Sequence, residues 1–171
     1  MMGLSLSLGS ALAVGLIVVV SLLTGGGNQT PNVLDGHRLA PFTLTGLQGS
    51  TVGTPWSTGH PTVVVFFASW CGPCKIELPQ IANYAARHEL GTVRFLGIDV
   101  NDQNAAAQAF VRAAHVRFPV GVDPQSQLSS REFQLPGLPD TVFVNGNGLV
   151  TNVVIGPISM SELAVDINDN H

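Results

Sequence analysis

The stretch Val63-Val64-Val65-Phe66-Phe67-Ala68-Ser69-Trp70-Cys71-Gly72-Pro73-Cys74 decides the fold. Its first five residues are β-branched or aromatic without a polar alternation, which reads as a central strand buried on both faces. The segment from Gly72 to about His88 reads as a helix, closed by Gly91. A strand therefore runs into a helix start, and both cysteines of the chain stand at that junction. A cysteine there meets unpaired backbone N–H groups and the positive end of the helix dipole. Both stabilise a thiolate, the nucleophile of disulfide exchange. Cys71 is the expected attacking residue. Pro73 suits a first helical turn, where its missing N–H is harmless. Cys74 lies at i+3, one turn deeper, and is the expected resolving thiol.

Working outward, Val93 to Val100 reads as a second strand and Asn101 to His115 as an Ala- and Gln-rich helix. A short helix fits Ser126 to Phe133. Thr141–Val144 and Leu149–Ile155 read as strands joined by Asn145-Gly146-Asn147-Gly148, a strong hairpin signal. Ser159 to Ile167 reads as a closing helix, with Ser159 as its N-cap and Glu162 at the capping-box position. Pro79 falls inside the first helix and predicts a kink. Alternation followed by a hairpin predicts a three-layer α/β fold with a mixed central sheet flanked by helices.

Composition narrows the function. The 171 residues are 45% apolar and only 11% charged, enough for one domain with a real core. The net charge is −4 and the basic residues are scattered, so nucleic-acid binding has no electrostatic footprint. Two cysteines this close close almost no loop and give little entropic stabilisation, so reactivity is the better reason for the pair. Structural zinc needs four ligands; there is no second Cys-x-x-Cys, and His37, His60, His88, His115 and His171 stand alone. Neither a metal nor a cofactor is called for.

Residues Leu4 to Leu23 carry no charge and are long enough for a membrane span or a signal-peptide core. The expected organisation is an N-terminal anchor or signal segment at 1–23, a flexible linker at 24–38 and one domain at 39–171. A tether of about 14 residues reaches roughly 20 Å. No Lys or Arg precedes the apolar stretch, so orientation rests on the chemistry instead of flanking charge.

Trp70-Cys71-Gly72-Pro73-Cys74 resembles the thioredoxin active site. Ala40-Pro41-Phe42-Thr43-Leu44, Glu77, Pro79, Phe118-Pro119-Val120 and Gly137-Leu138-Pro139-Asp140-Thr141 resemble the membrane-tethered TlpA/ResA branch, over about residues 39 to 165. That resemblance implies a thioredoxin fold and extracytoplasmic disulfide reduction, including reduction of apocytochrome c thiols for haem attachment. It implies that Glu77 lies near the cysteines and assists proton transfer. A carboxyl partly buried beside Cys74 would have a raised pKa and could take that proton. Cytosolic thioredoxins carry a buried aspartate on the central strand where this chain has Val65, which leaves Glu77 as the main candidate. X-Pro bonds are mostly trans, but the resemblance implies a cis Pro139 packed against the cysteines. Trp70, Gly72, Pro73, Leu138 and Pro139 are the expected substrate-binding residues, the backbone of Leu138 pairing with an extended segment.

The Gly72-Pro73 dipeptide matches thioredoxin, a reductant near about −270 mV. The leading expectation is a protein-disulfide reductase acting on exported substrates and recharged by a membrane thiol electron-transfer protein. A disulfide-forming oxidant and a non-catalytic binding or chaperone module are the alternatives. A peroxidase fits less well, because peroxidase relatives depend on a differently placed cysteine.

Overall fold

The computed structural model describes residues 34–88 and 92–169. The anchor or signal segment at 1–23, the linker up to residue 33, the helix-closing Gly91 and His171 lie outside the described residues. No described helix is long and apolar enough to cross a membrane.

The central strand is β3 (Thr62–Phe67), and all six of its residues are buried. It pairs in parallel with β4 (Arg94–Val100), Val63 opposite Phe95 and Phe67 opposite Asp99. β4 pairs in parallel with β5 (Val120–Asp123). On its other side β3 meets β6 (Asp140–Val144) antiparallel, and β6 meets β7 (Val150–Ile155) antiparallel. The sheet order is β5-β4-β3-β6-β7. Between β3 and β4 lies α1 (Cys74–Arg87), between β4 and β5 lies α2 (Asn104–Ala113), and α3 (Met160–Asp169) closes the domain. A small hairpin, β1 (Thr43–Thr45) with β2 (Thr51–Gly53), precedes the sheet.

Local chemistry sets most of these boundaries. α1 runs through Pro79 and loses the bond that a residue there would give the Lys75 carbonyl. Ser159 caps α3, its Oγ accepting the Glu162 N–H at 3.2 Å. In the β6–β7 turn, Asn145 Oδ1 accepts the N–H groups of Asn147 and Leu149 at 2.9 and 3.1 Å. Gly148 closes that turn at φ +80°, a conformation a side chain would disfavour.

The layers differ from the sequence expectation. All three long helices bury their apolar faces on one side of the sheet, with Val63, Val65 and Phe67 of β3. Parallel crossovers are right-handed, and β3-α1-β4 and β4-α2-β5 step the same way across the sheet, so both helices land on one face. The other face, with Val64 and Phe66, is covered by Leu34, Leu39, Trp56 and Phe133, carried on the N-terminal segment, a 3₁₀ turn (Pro55–Thr58) and a helical turn (Leu128–Glu132). Phe133 packs edge-on against Phe66 at 4.8 Å between ring centroids. β5 went unread in the sequence because it has four residues, follows Pro119 and contains Gly121. That glycine is needed: a Cβ there would lie 2.5 Å from Leu44, which the β1–β2 hairpin lays over it.

The domain also starts before residue 39. Gly36 N–H donates to Val150 O at 3.0 Å, Val150 N–H to His37 O at 2.9 Å and Leu39 N–H to Gly148 O at 2.8 Å. Leu34, assigned to the linker by composition, is 2% exposed. Truncating a buried leucine costs about 2–5 kcal/mol, so Leu34→Ala should lower the urea midpoint strongly, while Ile155→Ala at a half-exposed site should change stability by under about 1 kcal/mol. Equal midpoints for the two variants would return residues 34–38 to the linker.

Candidate active site

Both cysteines lie at the carboxyl end of β3, where ligand crevices of α/β sheets form. The turn Ala68–Pro73 leads from the strand into α1, whose first residue is Cys74. Cys71 and Cys74 form a disulfide with a Cα–Cα separation of 5.3 Å. Cys71 is 4% exposed and Cys74 is fully buried. The Cys74 N–H points at Cys71 Sγ, 3.2 Å away. Lys75 N–H turns to Gly72 O, and Ile76 and Glu77 N–H to Pro73 O. The α1 terminus thus offers an amide directly to the Cys71 sulfur, the arrangement that favours a thiolate once the disulfide is reduced.

Glu77 follows one turn after Cys74 on the same buried face of α1. It is 5% exposed, and its Oε1 accepts the Ile158 N–H at 2.7 Å. Burial pushes its pKa up to about 7; the Ile158 bond works against the shift and the nearby Asp140 adds to it.

Asp140, unassigned from the sequence, is the second buried acid. It opens β6 directly after Pro139 and is 1% exposed. Its Oδ1 accepts the Gly156 N–H at 2.8 Å, while its Oδ2 is buried without a hydrogen-bond partner. Burial raises its pKa to about 6, against the pull of backbone donors at Gly156 and Gly137. One signal was available in the sequence: Asp140 is the lone charge in Asp-Thr-Val-Phe-Val, a strand buried throughout.

The expected substrate residues divide. The Leu138–Pro139 bond is cis. Trp70, 58% exposed, is held by its Nε1–H on Asn101 O at 2.9 Å. Trp70 and Leu138 line one groove of about 320 Å³ with Val100, Ser129, Leu135 and Pro136. Gly72 and Pro73 are exposed and Pro139 is buried, and none of the three lines that groove. The structure therefore sets Cys71 at the start of α1, Cys74 and Glu77 on that helix's buried face, and gives Trp70 and Leu138 a common cleft.

A family model described as "AhpC/TSA family" matches residues 36–153. The chain is similar to the sporulation thiol-disulfide oxidoreductase A of Bacillus subtilis (strain 168), 28% identical over 127 residues, or 72% of this chain and 76% of that protein. It is similar to the thiol-disulfide oxidoreductase ResA of the same organism, 27% identical over 130 residues, or 76% and 72%. Among solved structures, a secreted Mycobacterium tuberculosis disulfide oxidoreductase described as homologous to E. coli DsbE aligns with a TM-score of 0.66 at 27% identity, over 75% of this chain and 95% of that one.

The buried acids carry a stability signature. Each has a folded pKa above its unfolded value, so the folded state holds more protons in between, and stability falls as pH rises from about 4 through about 7. The oxidised protein should lose at least about 1 kcal/mol, or ~2–4 °C in Tm, between about pH 5 and pH 8. Glu77→Gln should flatten that slope. A Tm that rises over this range, or a slope unchanged in the variant, contradicts the assignment.

Proposed function

This chain belongs to the AhpC/TSA family and is a thiol–disulfide oxidoreductase of thioredoxin fold; from that premise we propose that it reduces disulfides in exported proteins at the outer face of the membrane. The observation that carries the chemistry is the Cys74 N–H aimed at Cys71 Sγ at the start of α1. In the reduced form, the Cys71 thiolate attacks one sulfur of a substrate disulfide. The substrate S–S bond breaks, its far sulfur leaves as a thiolate and takes a proton, and a mixed disulfide joins Cys71 to the substrate. Cys74 then gives its proton to the Glu77 carboxylate and attacks Cys71 Sγ. The substrate departs as a dithiol, and the chain keeps the Cys71–Cys74 disulfide, two electrons poorer. Glu77, with its pKa near neutrality, is matched to accepting and returning that proton.

The Trp70/Leu138 groove beside the cysteines supports an extended substrate segment. Both cysteines of the chain are committed to the Cys71–Cys74 pair, which supports dithiol exchange over peroxidase chemistry. Reduction outside the cytoplasm needs an electron supply, and a membrane thiol electron-transfer protein supplies it. The apolar segment Leu4–Leu23 tethers the domain; the secreted Mycobacterium tuberculosis relative supports the compartment. The cysteine pair of an apocytochrome c is a substrate of the required kind.

Cys74→Ser should accumulate mixed disulfides on non-reducing gels and Cys71→Ser should not; equal trapping by both variants sinks the role assignment. Stopped-flow release from a pre-formed mixed disulfide should be at least about tenfold slower in Glu77→Gln near neutral pH, with partial recovery at higher pH as Cys74 ionises unaided. An unchanged rate and pH profile would make Glu77 a structural carboxyl.

Protease added to intact spheroplasts should digest the domain while the N-terminal fragment stays with the membranes. Full protection of the domain would place the reaction inside the cell.

A further inference from the structure

A third buried acid lies on the helix-covered face of the sheet, unused by the chemistry above. Asp99, near the end of β4, is 2% exposed. Its Oδ1 is buried without a hydrogen-bond partner. Beside it, Asp102 accepts the Ser69 N–H at 2.5 Å, the Ser69 Oγ–H at 2.9 Å and the Gln103 N–H at 2.7 Å. Burial, and then the neighbouring Asp102, push the Asp99 pKa up to about 7.

Of the two residues between them in the chain, Asn101 does related work. Asn101 adopts φ +48°, gives its N–H to Asp123 O at 3.0 Å and receives the Trp70 Nε1–H on its own carbonyl. The β4–α2 loop therefore holds Ser69 and Trp70, the two residues immediately before the nucleophile. Within the turn, Cys71 N–H donates to Ala68 O at 3.2 Å.

We propose that Asp102 is a positioning residue for Cys71, gripping the turn that carries it through Ser69. The Cys71 sulfur gains from the α1 terminus only while the Cys74 N–H points at it, and an effect of this type fades within about one helical turn. Position therefore decides the thiolate's stability. The proposal rests on the dithiol reading and adds the device that keeps the nucleophile in register. It also makes an unusual sign prediction. As a plain negative charge, Asp102 would raise the Cys71 pKa, so its removal would lower it. As an anchor it lowers the Cys71 pKa, so its removal raises it.

The experiment measures alkylation of reduced Cys71 against pH in the full-length chain in detergent, with the modified residue identified by mass spectrometry. Asp102→Ala should raise the apparent pKa by about half to one unit, which is ~3–10-fold slower alkylation at pH values below it. Asp102→Asn keeps an acceptor for the Ser69 N–H and should recover at least half of the shift. Ser69→Ala, which removes only the hydroxyl bond, should shift in the same direction by less. A lowered pKa in both Asp102 variants, or no shift in any variant, overturns the proposal. Should Asp102→Ala fail to fold by circular dichroism, Ser69→Ala decides, and an unchanged pKa there overturns it. Wild-type turnover of a protein disulfide is followed alongside. Its absence would remove the reductase reading, while the alkylation series would still decide the role of Asp102.

Discussion

The rest of this structure depends on the direct passage from a fully buried strand into the start of a helix. β3 is enclosed on both faces, so its carboxyl end is a rigid launching point. α1 begins after the short Ala68–Pro73 turn, and the N–H of its first residue, Cys74, points at Cys71 Sγ. Here the backbone supplies the stabilisation, so no basic side chain is needed beside the cysteines. The single lysine, Lys75, is exposed on α1.

Around that junction the protein buries acids. Glu77, Asp140 and Asp99 are each at most 5% exposed, and each is pushed toward the neutral form by loss of water. The nearby Asp140 adds to the upward shift of Glu77, and Asp102 in the loop that holds Ser69 adds to that of Asp99. In a chain with so few charges, such burial is a cost to folding. It is offset by packing on both faces of the sheet.

The face opposite the long helices carries the rest of the core. Leu34, Leu39, Trp56 and Phe133 reach it from segments without long regular structure. This cover determines where the domain starts, because backbone bonds from residues 36–39 extend along the beginning of β7 and its turn.

The sequence alone determined the elements whose signals are local. The unbroken apolar run of β3, the Cys-Gly-Pro-Cys helix start, the Asn-Gly turn and the Ser159 cap depend on residues a few positions apart, so periodicity and turn chemistry disclose them. The roles proposed for Cys71 and Cys74 rest on the same local geometry, and that for Glu77 on the family resemblance and its helix face. Tertiary structure decided what joins distant segments. It put all three long helices on one face, because successive crossovers step the same way. It drew Leu34 out of an apparent linker, turned Val120–Asp123 into an edge strand, and brought Asp140 from β6 beside Glu77 on α1. It also set Asp102 beneath Ser69, 33 residues away. A carboxyl's proton affinity and a short strand's existence both depend on which neighbours exclude water and supply hydrogen bonds, and for those positions the neighbours come from the folded chain.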